Sequence, residues 1–364
     1  FLSSFSTTNQ PRRLGENLKG MAQVGVSPLS KSNVLSRQET KALSREAILY
    51  MILLAFQFGL QPILTKRFTP PTVCRSTVIF VQECLKFTMA YLMLYLSGNV
   101  REALQGWTVY GWLSIAGLPA SLYAVQNLAS LMAYQNLDAL TYNVLNQTKT
   151  LSAALCCYLV MGKRQSNMQI LALFILLAAA LVMERILTLD ALLGRASTSL
   201  SVSLDPTHMS HGVIPILLAS FISGLAGALT QKNLEGSSGK NAYLFSMELC
   251  VVSVILLLIS VLFSEDGNLI RKNGFWNNWT PWTMIPIFTN SVGGIIVGLV
   301  TKHAGSVRKG FALIFGIFLS GIIQAPDAGV SREQIVGGAL AGISLWVHSA
   351  HPPTQELQNK EKRL

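Results

Sequence analysis

From residue 46 to residue 349 the chain alternates between apolar runs of about 17 to 26 residues and short polar breaks, whereas both ends are polar. A helix needs about 20 apolar residues to cross the hydrocarbon of a bilayer, and only a helix or a closed barrel satisfies its backbone there. The pattern predicts ten spans, at 47–64, 73–97, 108–133, 138–160, 167–187, 212–236, 241–264, 281–301, 306–325 and 333–349. The expected fold class is an all-α polytopic membrane protein with short tails at 1–45 and 350–364.

Shifting the chain against itself by 165 residues aligns Gly59-Leu60 with Gly224-Leu225, Leu64-Thr65 with Leu229-Thr230, Phe80 with Phe245 and Glu83 with Glu248. The same offset pairs Ala139 with Ala304 and Gln169-Ile170 with Gln334-Ile335 without a gap. Two five-helix repeats are expected, 46–187 and 212–349, joined by a loop at 188–211. Five is odd, so the second copy enters the membrane from the opposite face. An inverted repeat of this kind is transporter architecture, with a site near the midplane that opens to either side in turn.

Of the 364 residues 51% are hydrophobic and only 12% charged, which excludes an ordinary soluble enzyme. The net charge of +11 comes without a compact basic domain or a Cys/His finger, so no nucleic-acid partner is expected. It fits membrane topology: the side carrying the termini holds about 18 Lys and Arg and the other side about 8, which places both termini in the cytosol. The 188–211 loop is then non-cytosolic. So is Asn278-Trp279-Thr280, a glycosylation sequon set beside Trp276 and Trp282 at the expected interface. Residues 1–45 are Ser-rich, basic and almost free of acids; they are read as a disordered tail, with a targeting-peptide remnant as the alternative. Cys84, Cys156, Cys157 and Cys250 all fall in apolar runs and read as small packing residues rather than disulfides or metal ligands.

Polar groups inside spans are costly and so carry information. In the fourth span Tyr142, Asn146 and Lys149, spaced i, i+4 and i+7, share one helical stripe. A ring, an amide and an ammonium on one wall suit a nucleotide: base stacking, edge reading and phosphate attraction. A lysine snorkelling to the cytosolic end is the competing reading. The third span offers Tyr123, Gln126 and Asn127 after Gly117 and Pro119, which can kink the helix, although interhelical hydrogen bonding explains them too. Glu83 and Lys86, at i and i+3, read as a structural or gating ion pair. Glu248 has no adjacent base, so its partner is expected on another helix, or else it is protonated. The turn Thr301–Gly310 gathers Lys302, Arg308 and Lys309 before a helix, where they can attract phosphate or simply obey topology. Gly224, Gly227, Gly293, Gly294 and Gly298 fit close helix packing. The spans hold no Asp-rich metal motif, no His-Glu-x-x-His helix and no nucleophile elbow, which speaks against an intramembrane enzyme.

At these residues the chain resembles the nucleotide-sugar transporter family, in the branch of CMP-sialic acid, UDP-galactose and UDP-N-acetylglucosamine transporters. The likeness covers roughly 46–349 and is best marked at Leu122-Tyr123-Ala124-Val125-Gln126-Asn127 and at Tyr142 through Asn146-Gln147-Thr148-Lys149. Glu83 with Lys86, Gly293-Gly294, Lys302 and Arg308-Lys309-Gly310-Phe311 add to it, and the wording is most similar to plant-type UDP-N-acetylhexosamine members. The resemblance implies a ten-helix drug/metabolite-transporter fold. It also implies exchange of a cytosolic nucleotide sugar for the lumenal nucleoside monophosphate in Golgi or endoplasmic reticulum membranes, with no cofactor and with a homo-oligomer left open. UDP-N-acetylglucosamine for UMP is the expected pair; UDP-galactose, CMP-sialic acid or another anionic metabolite on the same fold is the alternative. It carries cavity roles onto Tyr123, Asn127, Tyr142 and Lys149, and a place near the phosphates onto Lys302. Two departures bear on selectivity: Leu128 replaces an asparagine, and Phe245-Ser246-Met247-Glu248 replaces an Arg-Asn-x-Gln pattern, leaving Ser246 as the candidate contact there.

Overall fold

The computed structural model describes residues 44–137, 142, 145–183, 209–235, 239–324 and 332–351. Nearly all of the 1–45 tail, most of the 188–211 loop and the C-terminal tail lie outside the described residues. Every long element described is helical: α1 Arg45–Phe68, α2 Arg75–Leu96, α3 Leu118–Asn136, α4 Lys149–Met161, α5 Asn167–Met183, α6 Ile214–Leu234, α7 Ala242–Phe263, α8 Met284–His303, α9 Ser306–Gln324 and α10 Arg332–Ala350.

Six stretches are long and apolar enough to cross a membrane: Arg45–Phe68, Arg75–Leu96, Met209–Leu234, Ala242–Phe263, Pro281–His303 and Ser306–Ile323. Asn167–Met183 is apolar but shorter. The expected third and tenth spans fall short for physical reasons: helix α3 carries Ser121, Tyr123, Gln126 and Asn127, and α10 opens on Arg332-Glu333-Gln334. Much of the first half of the expected fourth span lies outside the described residues.

Local chemistry sets the helix ends. Ser44 caps α1 by accepting from Ala47 N at 3.1 Å, and Asn241 caps α7 by accepting from Tyr243 N at 2.9 Å. Helix α4 stops at Gly162, whose φ of 68° suits a residue without Cβ, with Lys163 N donating back to Cys157 O. The kink expected near Gly117 and Pro119 takes the form of a π-helical turn, Leu113–Gly117, leading into α3. Pro119 has no N–H for the carbonyl of Ile115, and Asn233 of α6 supplies the missing donor at 3.0 Å.

Eight helices close into a ring in the order α1, α8, α2, α7, α3, α6, α4, α9 and back to α1, and α5 and α10 pair outside it beside α9. Around the ring, helices of the first five alternate with helices of the last five. Exchanging each helix with the one five places away turns α1·α9 into α6·α4, α1·α8 into α6·α3 and α2·α8 into α7·α3, and leaves α2·α7 and α5·α10 unchanged; every resulting pair is also in contact. The exchange reverses the cyclic order.

The match reaches individual residues. A Cβ on Gly59 would stand 3.0 Å from Gly316 O of α9, and one on its repeat mate Gly224 would stand 2.6 Å from the Ser152 carbonyl carbon of α4. Both glycines therefore let a helix backbone approach. The clash at Gly224 is against backbone and outweighs the roughly 1 kcal/mol of helix propensity that alanine gains over glycine. Gly224→Ala is expected to destabilise by about 1–3 kcal/mol, the usual range for overpacking. Gly342→Ala, with nothing within 4 Å of its Cβ, is expected to be neutral or stabilising. Melting of the purified variants checks both, and equal melting points would show that the α4–α6 contact yields freely.

The two ends of the bundle differ. One end gathers Glu46, Lys163, Ser166, Glu235, His303 and His351: Lys163 Nζ pairs with Glu235 Oε1 at 2.5 Å, Ser166 Oγ donates to His351 O at 2.8 Å, and His303 Nδ1 lies 3.5 Å from Glu46 Oε2. Here Met51, Leu54, Ala228, Val300, Ala304 and Val307 join one buried cluster that ties α1, α6, α8 and α9 together. At the other end the last turns of α3 leave Leu131, Met132 and Tyr134 exposed, and a cavity of about 460 Å³ lies among α1, α2 and α8.

Candidate functional site

Lys149 is half-buried on the first turn of α4. It is twelve residues from the end of α4 at Met161, about 18 Å at 1.5 Å per residue, too deep for its ammonium to snorkel to that end. Just before it the helix is disturbed. Leu145 O accepts from Thr148 N at 3.1 Å, from Thr148 Oγ1 at 2.6 Å and from Ser220 Oγ of α6 at 3.4 Å. The N-terminal turn of α9 packs onto this point, since a Cβ on Gly310 would stand 2.7 Å from Thr150 Cγ2. That contact brings Lys309 close enough for its charge to act on Lys149, and among the described residues no carboxylate acts on Lys149. Two like charges are thus near one another on α4 and α9.

Arg308 turns elsewhere: its charge acts on His348 of α10, as expected for a residue about 100° around the helix from Lys309. Lys302 is half-buried on the last turn of α8, at the packed end. Of the three basic residues singled out in the Thr301–Gly310 turn, it is Lys309 that joins Lys149.

A polar bar closes the packed end above these lysines. Gln231 of α6 accepts at Oε1 from Ser306 N of α9 at 2.8 Å and from Cys157 Sγ of α4 at 3.5 Å. Its Nε2 donates to Glu235 Oε2 at 3.0 Å, and Glu235 is held by Lys163. Cys157 is eight residues along α4 from Lys149, so the bar stands about 12 Å nearer the packed end.

The stripe expected on the fourth span is only partly assembled. Residues 143 and 144 lie outside the described residues. The Tyr142 ring packs edge-on against Tyr134 at 5.3 Å and against a cluster of Ala133, Leu137, Val213 and Ile216, while Asn146 is half-buried further along. On α3, Tyr123 is half-buried, and Gln126 Nε2 donates to Asn127 Oδ1 at 3.4 Å. Helix α6 stands between α3 and α4 in the ring, so these residues and Lys149 meet only across its interior.

Both carboxylates are paired. Lys86 Nζ donates to Glu83 Oε1 at 2.7 Å, and the stem of Lys86 occupies the groove left by Gly294. The partner of Glu248 is not on another helix, as sequence suggested, but in the segment entering its own: Lys240 Nζ lies 2.5 Å from Oε1 and 2.7 Å from Oε2. Trp107 Nε1 adds a donor at 2.9 Å. The chain can fold back here because α7 begins only at Ala242, leaving Lys240 outside the helix. Ser246 is buried; its Oγ donates to Ala242 O at 2.8 Å, and it packs against Gly298. Sequence reasoning missed Lys240 and Gln231, yet the repeat held a signal: the 165-residue offset sets Lys240 on Arg75, a base eight residues before an acid in each half.

The family model described as nucleotide-sugar transporter matches residues 40–326. An Arabidopsis thaliana protein named UDP-N-acetylglucosamine transporter ROCK1 is 35% identical over 322 residues, covering 88% of this chain and 96% of its own. A Caenorhabditis elegans UDP-N-acetylglucosamine/UDP-N-acetylgalactosamine transporter, nstp-4, is 28% identical over 79% of this chain and 87% of its own. CMP-sialic acid transporter 2 of Oryza sativa subsp. indica is 23% identical over 76% of each. A solved crystal structure covers 83% of this chain and 96% of its own with a TM-score of 0.59 at 13% identity, a likeness of fold alone. With the family model spanning most of the helical region and a relative of this identity aligned almost end to end, the chain belongs to the nucleotide-sugar transporter family.

Proposed function

We propose that this protein exchanges a UDP-sugar, UDP-N-acetylglucosamine, for UMP across a Golgi or endoplasmic reticulum membrane, and that its ten helices form two inverted five-helix repeats. The observation that carries the site is Lys149 in an apolar helix with Lys309 of α9 as the charge acting on it, both beneath the Gln231 bar. Two cations near each other in a partly desolvated place favour an anion beside them, and a pyrophosphate supplies one. The reversed ring order supports the inverted repeat: a two-fold axis along the helices keeps the cyclic order, whereas one lying across them reverses it. The packed end and the open end support alternating access, since the same repeat elements are tight on one side and loose on the other. The packed end, which holds both ends of the described chain, is assigned to the cytosol on the bias of basic residues. Tyr123, Asn127 and Asn146 are assigned to base and sugar, and Lys302 to attracting the incoming phosphates. Exchange follows if ligand lowers the barrier to reorientation by binding the occluded state better than either open state.

Proteoliposomes holding the purified protein test this reading. Uptake of radiolabelled UDP-N-acetylglucosamine is expected to saturate and to accelerate when the vesicles are preloaded with UMP. Unlabelled UDP-N-acetylglucosamine is expected to compete better than UDP-galactose or CMP-sialic acid. No uptake of any nucleotide sugar by demonstrably folded protein would overturn the proposal.

A further inference from the structure

The cavity at the open end is a different place from the Lys149 site. It is lined by Gln61, Thr65 and Lys66 of α1, by Arg75 and Gln82 of α2, and by Asn290 of α8, with no acidic residue among the described residues of its lining. Its volume, about 460 Å³, falls within the range of small-molecule sites.

The hydrogen bonds already made decide what the cavity still has to give. Gln82 Oε1 accepts from Asn290 Nδ2 at 2.7 Å, which leaves the Gln82 amide nitrogen as a donor. Thr65 Oγ1 accepts from Gln61 Nε2 at 3.3 Å, which leaves its hydroxyl proton to give. Gln61 is fully occupied, since its Oε1 accepts from Thr289 Oγ1 at 2.9 Å and its Nε2 donates to Pro286 O at 3.0 Å. With Lys66 and Arg75, which carry only donors, the remaining capacity of the wall is almost entirely donor and positive. That suits a phosphoryl oxygen.

The repeat argues that the space is not a packing defect. The equivalent place in the second half lies among α6, α7 and α3, where Thr230 and Gln231, the mates of Thr65 and Lys66, are buried, as are Ala226 and Leu234. In that half the mate of Lys66 is the neutral Gln231, and it is committed to the closing bar. The first half instead keeps the cation of Lys66 beside an open cavity, whereas Lys240, the second-half mate of Arg75, is committed to Glu248.

We infer that the Lys66–Arg75 cavity is a second, peripheral binding site for a phosphoryl group, at the mouth through which ligand enters or leaves the open end. On the transport reading, on which this rests, its natural occupant is the phosphate of a nucleoside monophosphate. The phosphate of an anionic lipid headgroup has the same chemistry.

Binding measurements that need no transport separate these cases. Thermal shifts of the purified full chain in detergent are recorded with UMP and with short-chain phosphatidylinositol. Three proteins are compared: wild type, Lys149→Ala, and Lys149→Ala carrying Lys66→Ser and Arg75→Ser. The Lys149→Ala protein is expected to keep part of the UMP shift, and the triple variant to need about tenfold more UMP for the same shift. A shift given by phosphatidylinositol and not by UMP, lost in the triple variant, keeps the site and assigns it to lipid. Equal shifts in Lys149→Ala and the triple variant with both probes would overturn the inference. Failure of exchange by the wild-type protein would overturn the transport reading alone.

Discussion

Lys149→Ala is expected to abolish the proposed exchange of UDP-N-acetylglucosamine for UMP in proteoliposomes while the empty protein melts at or above the wild-type temperature. The two halves of this expected result follow from one geometry. In the empty protein the charge of Lys309 acts on Lys149 with no carboxylate acting on it among the described residues, so the native state carries a repulsion that alanine removes. Substrate then loses a charge-assisted contact to phosphate, of about 1.5–3 kcal/mol, or roughly 10- to 100-fold in binding. Because the contact must also persist in the occluded state, transport falls further than binding. Lys149→Arg keeps the charge but replaces a compact ammonium with a bulkier planar fork on a three-carbon stem, and is expected to recover binding better than transport.

The measurements are uptake, UMP-induced thermal shift and melting without ligand, made on the same preparations. A variant that melts much lower and transports nothing would make Lys149 a structural residue. A variant that transports normally would remove Lys149 from the mechanism.

Much of this was legible in the sequence because bilayers impose simple rules. Apolar run lengths placed the helices, and the constant 165-residue offset anticipated a packing pattern in which Gly59 and Gly224 do the same work against α9 and α4. Lys149 stood out because a cation in an apolar run is costly, and Glu83 with Lys86 because their spacing puts them on one face. What escaped depends on tertiary neighbours. Tyr142 reads as a stacking ring from its stripe, and the stripe does not show its neighbours, Tyr134 and the cluster at the entry to α6. Arg308 and Lys309 read alike in sequence, and only the packing of α9 between α4 and α10 sends them to different partners. Gln231 looked like an ordinary polar residue near a helix end, because its role lies in accepting from two other helices at once.

Lys240→Met is the substitution expected to cost the most stability. Glu248 is 5% exposed, and its two oxygens take Lys240 at 2.5 and 2.7 Å together with the Trp107 indole. Removing one partner of a buried pair leaves the other charge uncompensated, at a cost of about 3–5 kcal/mol. The Lys240 side chain is 21% exposed, so water tempers this, and the lower part of that range is expected. The damage should also spread. Trp112 Nε1 donates to Glu248 O at 3.2 Å, and Trp107 stacks on Trp112 at 6.4 Å, so the carboxylate anchors the segment that leads into α3. Adding Glu248→Gln removes the stranded charge while keeping an acceptor for Trp107, and Lys240→Met/Glu248→Gln is therefore expected to recover most of the lost melting temperature. Glu248→Gln alone, which keeps Lys240 near solvent, is expected to cost less than Lys240→Met. Melting of the four proteins in one detergent forms a double-mutant cycle. A Lys240→Met protein as stable as wild type, or a double variant no better than Lys240→Met, would show that the pair does not hold α7 to the segment before α3.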